Sequence, residues 1–190
     1  RLADEHEAFL IFDEVQTGVG MTGRMWAFEH FGVVPDAISF GKKMPLAGAC
    51  VGLRVDEVED NVFKVPSRIN STWGGNLVDM VRATRILETI HEENLVAQAA
   101  RVGAHLLAGL HGLCAQHPHL VSNPRGRGLF CALDLPDTPR RARLLAACFE
   151  RGLMILGCGE RSIRFRPALV VTEAEIDAAL GILSEAVAAL

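Results

Sequence analysis

The pattern of apolar and polar positions divides the chain into short strands near its start and longer helices later. Residues 9–12 form a continuous apolar run that ends at Asp13, which is typical of a parallel strand buried on both faces. A second short strand is predicted at residues 37–40, and the pattern favours a third at residues 49–54. The start of the chain therefore predicts part of an α/β sheet.

Helical periodicity begins at Leu77, where apolar side chains recur at spacings of three and four. The polar residues 92–94 predict a break between two helices that together extend to residue 113. The remaining pattern predicts three strands, at 128–135, 153–156 and 162–165, and two helices, at 140–151 and 172–190. The last helix begins with the capping box Thr172–Glu175.

These elements predict two domains joined by a helix. Residues 1–75 are expected to form part of an α/β sheet domain, and residues 96–190 a small C-terminal α+β domain. Residues 76–95 are expected to form the connecting helix.

Composition narrows the class of protein further. The 190 residues are 49% hydrophobic and 22% charged, and their net charge of −4 comes without the basic stripe that nucleic-acid binding needs. No apolar run is long enough for a transmembrane helix. The five cysteines are scattered, so we expect reduced thiols in a cytoplasmic protein and no metal site. Because Arg1 is not a methionine and no leader follows it, we expect the chain to begin inside a longer protein.

Two polar residues stand at the ends of predicted strands, Asp13 and Lys42, and the polar, glycine-flanked segment 70–75 follows them. Ligands bind at the carboxyl ends of parallel strands, so Asp13 and Lys42 are expected to face one crevice. A lysine amine forms a Schiff base with an aldehyde cofactor such as pyridoxal phosphate, and a carboxylate keeps the ring nitrogen of that cofactor protonated. A hydroxyl and backbone amides near Thr72 suit a phosphate. The simpler alternative is a helix-capping aspartate and a solvated lysine.

Two segments resemble the class III (ω-) aminotransferases. Residues 10–20 (LIFDEVQTGVG) are similar to the family's signature, and residues 35–42 (PDAISFGK) are similar to its lysine segment. The resemblance implies the type I fold of pyridoxal-phosphate-dependent transferases, which is aspartate-aminotransferase-like. It also implies that residues 1–75 belong to the large parallel-sheet domain, and it places the chain in roughly the C-terminal two fifths of such an enzyme.

The resemblance implies a role for each matching residue of the cofactor site. Asp13 is similar to the acid that pairs with the pyridine nitrogen, Val15 to the side chain packed on one ring face, and Gln16 to the residue that binds the phenolic oxygen. Lys42 is similar to the lysine that carries the cofactor and moves the substrate proton. We prefer Lys42 to Lys43 because the family lysine directly follows a small residue and because the spacing from Asp13 fits.

Residues further along the chain complete the implied site. Thr72 resembles the threonine that reaches the phosphate from the neighbouring subunit of a homodimer, and Asn70 lies beside it. Arg164 matches the arginine that grips the carboxylate of 2-oxoglutarate or glutamate, because a guanidinium group meets a carboxylate through two hydrogen bonds. The simpler alternative is a surface arginine on an edge strand. Arg166 has no role that the resemblance assigns.

Within the family, residues 40–43, 65–77 and 124–129 are most similar to the enzymes that act on the ε-amino group of L-lysine. The implied reaction transfers this group to 2-oxoglutarate and gives 2-aminoadipate 6-semialdehyde, which cyclises, and L-glutamate. The paired lysines and the Asn-x-Thr-Trp run also resemble 4-aminobutyrate aminotransferases, and ornithine, acetylornithine or diaminobutyrate remain possible donors. Another alternative is a piece that is inactive when isolated, because the phosphate cup, a ring-stacking aromatic and another substrate arginine are expected before Arg1.

Overall fold

The structure, a computed structural model, describes residues 1–69, residue 72 and residues 74–190. The chain folds into two compact units. The first contains residues 1–19 and 25–93, and the second contains residues 20–24 and 94–190. Residues 76–93 of the predicted connecting segment belong to the first unit, and residues 94–95 belong to the second.

A three-stranded mixed sheet organises the first unit, with strand order β1-β2-β3. Its first pair is parallel and its second pair is antiparallel. Two 3-10 helices, at Ala27–His30 and Leu53–Glu57, follow β1 and β3 respectively. The regular elements of this unit are α1 (Leu2–Glu5), β1 (Ile11–Asp13), β2 (Ala37–Phe40), β3 (Gly48–Val51) and α2 (Leu77–Glu92).

Two expectations for this sheet were wrong. The first strand is not buried on both faces, because it lies at the edge of the sheet and Ile11 on one of its faces is 64% exposed. The third strand ends at Val51 rather than at residue 54, because the chain turns into a 3-10 helix at Leu53. The parallel pairing of the first two strands agrees with the predicted α/β class.

The second unit packs three helices against a four-stranded antiparallel sheet of order β4-β5-β7-β6. One face of this sheet and the helices share a continuous hydrophobic core, in which Leu106, Leu133, Ile163 and Leu183 are fully buried. The elements are α3 (Leu95–Gln116), β4 (Ser122–Arg127), β5 (Phe130–Asp134), α4 (Thr138–Glu150), β6 (Leu156–Cys158), β7 (Ser162–Phe165) and α5 (Glu173–Ala188).

Sequence patterns located most of these elements. The break at residues 92–94 is confirmed, and so is the capping box, in which Thr172 Oγ1 accepts from the Glu175 amide at 3.3 Å. The strand predicted at 153–156 was wrong, because pairing with β7 begins only at Leu156. The pattern missed β4 altogether, because Pro124 and Gly126 usually mark loops and the strand carries a register shift.

Residues 20–24 belong to the second unit because they lie against the turn that precedes β5. The Leu129 amide donates to the Met21 carbonyl oxygen at 3.0 Å. Gly128 has a φ of +53°, and a Cβ atom there would lie 2.4 Å from the carbonyl carbon of Thr22. Only glycine therefore allows this close approach of two backbone segments.

An ion pair between α3 and α5 makes the stability of the second unit dependent on pH. His105 Nε2 lies 2.5 Å from Asp177 Oδ1, and this hydrogen bond raises the pKa of His105. The pair stabilises the fold fully below the ordinary histidine pKa of about 6.5, and this contribution is lost as pH rises through the higher folded pKa of His105.

Thermal melts test this pH dependence. His105→Gln should lower the melting temperature mainly at pH values below the folded pKa of His105, and Asp177→Asn should do the same. A loss equal at all pH values contradicts this account, and His111→Gln on the same helix is the control.

No helix in the described part of the chain combines the length and the hydrophobicity needed to cross a bilayer.

Candidate functional site

Asp13 and Ser39 are neighbours across the parallel pair of strands. The register pairs Asp13 at the end of β1 with Ser39 in β2, and Ser39 Oγ donates to Asp13 Oδ1 at 3.0 Å. The Val15 amide donates to the same oxygen, also at 3.0 Å. Among the residues that the structure describes, none donates to Oδ2 of Asp13, so this oxygen remains open to a ligand.

These contacts keep Asp13 ionised. The Val15 amide and then the Ser39 hydroxyl lower the pKa of the Asp13 carboxyl most, partial burial opposes them, and the positive charge of Lys42 lowers the pKa by a smaller amount. The chain after Asp13 forms turns rather than a helix, so the alternative of a helix-capping aspartate is not observed. The carboxylate is therefore held negative at the end of the strand, facing solvent.

Lys42 stands at the centre of a tight turn just after β2. Its φ is +55°, and the Lys43 amide donates to the Gly41 carbonyl oxygen at 2.7 Å, which closes a three-residue turn. A non-glycine residue in this conformation costs about 1–2 kcal/mol, and such strain is concentrated at functional sites. The Lys42 side chain is exposed, as a merely solvated lysine also is, and donates no hydrogen bond to a described residue. The positive φ therefore distinguishes Lys42 from the described lysines Lys43 and Lys64, and five other non-glycine residues of the described chain also have a positive φ.

Lys43 is used differently from Lys42. Its Nζ donates to the Gln16 carbonyl oxygen at 2.8 Å, in a half-buried position. This contact ties the turn after β2 to the loop after β1, in which Val15 and Gln16 are also half-buried. The two adjacent lysines thus differ: Lys43 connects the two loops, and the side chain of Lys42 points to solvent.

Glu14 anchors the loop that carries Val15 and Gln16. Its side chain is only 2% exposed, and its carboxylate accepts hydrogen bonds from Thr17 Oγ1 and, at 2.9 Å, from the Phe28 amide. The Gly18 amide also donates to the Glu14 carbonyl oxygen at 2.8 Å. The loop is consequently fixed by a buried acid rather than by regular secondary structure.

Thr72 and Asn70 are the other two candidates that the sequence predicted near the cofactor. Thr72 is exposed, and it makes no hydrogen bond to any candidate residue in the described part of the chain. Asn70 lies outside the described residues.

Arg164 belongs to the second unit, in β7. This strand pairs with β5 on one side and β6 on the other, so the alternative of an edge-strand arginine is not observed. Arg164 lines a cavity of about 380 Å³ together with Arg166 and Glu175, among others. Its buried Nε atom has no hydrogen-bond partner among the described residues. A guanidinium group in this state is suited to bind an anion that enters the cavity.

The family model for aminotransferase class-III matches residues 1–187 of the chain. The chain belongs to the class III aminotransferase family. It is 53% identical to the L-lysine-epsilon aminotransferase of Mycobacterium tuberculosis, over 97% of this chain and 41% of that protein. It is 38% identical to the mitochondrial 4-aminobutyrate aminotransferase of Sus scrofa, over 98% of this chain and 37% of that protein.

The fold of this class III aminotransferase chain agrees with a solved relative. The structure described as lysine aminotransferase from M. tuberculosis in the internal aldimine form superposes with a TM-score of 0.94. The two are 53% identical, and the match covers 97% of this chain and 42% of the other. This class III aminotransferase chain therefore spans about two fifths of the length of these relatives.

Three residues that hold the candidate site in place were not predicted from the sequence in this role. Ser39 and Lys43 act through contacts between two strand ends, which become visible only when the register of those strands is known. Glu14 follows Asp13 directly, and a polar residue in a glycine-rich loop is ordinarily expected to be solvated. The one feature of the sequence that could have indicated Glu14 is its position within residues 10–20, which resemble the family's signature.

Proposed function

We propose that the enzyme containing this chain uses pyridoxal phosphate to transfer the ε-amino group of L-lysine to 2-oxoglutarate. The products are 2-aminoadipate 6-semialdehyde, which cyclises to piperideine-6-carboxylate, and L-glutamate. The observation that carries the proposal is the 53% identity with an L-lysine-epsilon aminotransferase over nearly the whole chain. The contacts around Asp13 and Lys42 support the same chemistry.

The first unit offers groups that fit pyridoxal phosphate. When bound, this cofactor supplies an aldehyde that reacts with amines and a ring that withdraws electrons when its nitrogen is protonated. Asp13 has an ionised carboxylate with one open oxygen, which suits a protonated ring nitrogen. The loop held by Glu14 and Lys43 carries Val15 and Gln16, which we propose contact the ring and its phenolic oxygen.

Lys42 is the residue that we propose binds the cofactor covalently and moves the proton at the reacting carbon. Its amine is exposed and makes no competing hydrogen bond to a described residue, and the tight turn fixes the direction of its backbone. A general base must reach the proton that it removes, so a fixed backbone with a mobile side chain suits this role.

The remaining assignments complete the proposal. We propose that Thr72, with Asn70 beside it, binds the phosphate of the other subunit in a homodimer, and that Arg164 binds a substrate carboxylate. Residues 1–75 then contribute to the cofactor-binding domain and residues 96–190 form the small domain. We also propose a cytoplasmic location, which the scattered, unpaired cysteines support.

A second candidate is an aminotransferase that acts on 4-aminobutyrate, which the 38% identity to the pig enzyme favours. The difference between 53% and 38% identity supports lysine as the donor. Because the chain covers 41% of the lysine enzyme, activity is expected of the complete enzyme rather than of this part by itself.

The donor can be tested with the complete enzyme, pyridoxal phosphate and 2-oxoglutarate. We expect the kcat/KM for L-lysine to be about 100-fold higher than that for 4-aminobutyrate. A site that hydrogen-bonds the α-amino group of lysine discriminates strongly against 4-aminobutyrate, which lacks this group. The cyclised aldehyde and L-glutamate are measured in parallel reactions, with L-ornithine as the matched α-amino acid. Turnover of 4-aminobutyrate or ornithine without L-lysine would reject the donor, whereas no transamination at all would reject the reaction class.

A further inference from the structure

A polar cluster lies on the sheet of the second unit, on the face opposite the hydrophobic core. Asp134 is 5% exposed, and its carboxylate accepts hydrogen bonds from Arg125 Nη1 at 2.8 Å, Ser162 Oγ at 2.5 Å and Asn123 Nδ2 at 2.9 Å. Arg125 Nη2 also donates to Ser162 Oγ at 3.1 Å. The hydroxyl of Ser162 therefore accepts from Arg125 and donates to Asp134, which closes a three-residue ring across β4, β5 and β7.

The register of the sheet places this ring beside Arg164. Ala132 in β5 is paired with Arg125 on one side and with Arg164 on the other, so both arginines lie on the same face of the sheet. Asp134 is paired with Ser162, two positions along each strand from Ala132 and Arg164, and side chains two positions apart share a face. Asp134 and Ser162 are thus in the row next to Arg164, and Arg125 is in the same row as Arg164.

The charges of Arg125, Asp134 and Arg164 affect one another across the sheet. Arg125 and Arg164 are like charges separated by one small residue, and they would repel each other without a nearby acid. Asp134 forms an ion pair with Arg125 Nη1 at 2.8 Å, whereas the buried Nε of Arg164 has no partner among the described residues. The acid therefore neutralises one arginine and leaves the other available for an anion.

We propose that the Arg125–Asp134–Ser162 ring positions Arg164 for the carboxylate of the substrate. The inference rests on the proposed function, in which Arg164 binds that carboxylate. Ser162 is the link, because it lies two residues before Arg164 in β7 and is held by both other members of the ring. These three are positioning residues and do not contact the substrate.

The critical comparison uses Ser162→Ala, Ser162→Thr and Thr138→Ala in the complete enzyme with its cofactor. Thr138 is the matched control, because its hydroxyl donates to the Glu160 carbonyl oxygen at 2.8 Å in the same unit, outside the ring. We expect Ser162→Ala to raise the KM for 2-oxoglutarate about tenfold with kcat nearly unchanged, because small displacements of a binding group are costly. Ser162→Thr should restore the KM, and Thr138→Ala should not change it.

Arg164→Ala separates the two proposals. It should raise the KM for 2-oxoglutarate about 100-fold or more, and no change would reject the proposed role of Arg164 itself. If Arg164→Ala has this effect but Ser162→Ala behaves like Thr138→Ala, the positioning inference is overturned. Should Ser162→Ala not fold, Arg125→Lys answers the same question, because lysine keeps the charge but cannot contact both Asp134 and Ser162 in this way. An unchanged KM in a folded Arg125→Lys enzyme overturns the inference as well.

Discussion

Lys42→Ala is expected to eliminate transamination, whereas Lys43→Ala leaves a working enzyme. The first change removes the amine that we propose binds the cofactor and moves the substrate proton, so kcat should fall by about 10⁴-fold, the upper range for a positioned proton-transfer group. The second removes the hydrogen bond from Lys43 Nζ to the Gln16 carbonyl oxygen, and its effect should stay within about tenfold. Steady-state rates with L-lysine and 2-oxoglutarate measure both.

Covalent attachment provides a second measurement that does not depend on activity. After reduction with borohydride, digestion and mass spectrometry, the cofactor should be found on the peptide that contains Lys42, in the wild-type enzyme and in Lys43→Ala. In Lys42→Ala this adduct should be missing after reduction, and the visible absorbance that the wild-type enzyme shows before reduction should be missing as well. An adduct on Lys43, or loss of attachment in Lys43→Ala alone, would move the assignment by one residue.

The sequence allowed the pairing of Asp13 with the lysine segment to be anticipated, but not the local conformations. Strand ends in a parallel pair meet at one edge, and the register of Asp13 with Ser39 follows that rule. The positive φ of Lys42 has no sequence signal, because lysine is not a residue that favours it. Ser39 was likewise invisible as a partner of Asp13, since the two are 26 positions apart.

The second unit shows the same division between local and non-local information. The capping box of α5 and the break before α3 depend on neighbouring residues, and both were predicted. The strand β4 depends on its pairing with β5, which overrides the turn preference of Pro124 and Gly126. The central position of β7 depends on the sheet order β4-β5-β7-β6, and no local pattern separates a central strand of four residues from an edge strand.

Asp13 and Glu14 show why adjacent acids in one motif have unrelated tasks. Glu14 is buried and its carboxylate is used by Thr17 and Phe28 of its own unit, so it maintains the loop. Asp13 is exposed, and the two hydrogen bonds that its side chain accepts from described residues both reach Oδ1. The difference follows from the alternation of side chains at the end of β1, which directs one acid inward and the other outward.

Asp13→Asn should therefore impair catalysis without disturbing the fold. The amide has the shape of the carboxylate but no charge, so it does not keep the cofactor's ring nitrogen protonated, and kcat should fall by about 10²–10³-fold. Ser39→Ala is the graded control, because it removes one of the two hydrogen bonds that lower the pKa of Asp13 and leaves the charge in place, so its loss should be about tenfold or less.

The pH dependence distinguishes this role of Asp13 from a structural one. Since the folded pKa of Asp13 is lowered, its contribution to cofactor affinity is present above the ordinary aspartate pKa and is lost as pH falls through the lower, folded value. In Ser39→Ala that loss should begin at a higher pH, and in Asp13→Asn the affinity should be weak throughout and no longer follow this titration. Cofactor binding measured by absorbance across acidic pH tests both. A wild-type pH profile in Asp13→Asn would show that the open oxygen of Asp13 does not face the cofactor.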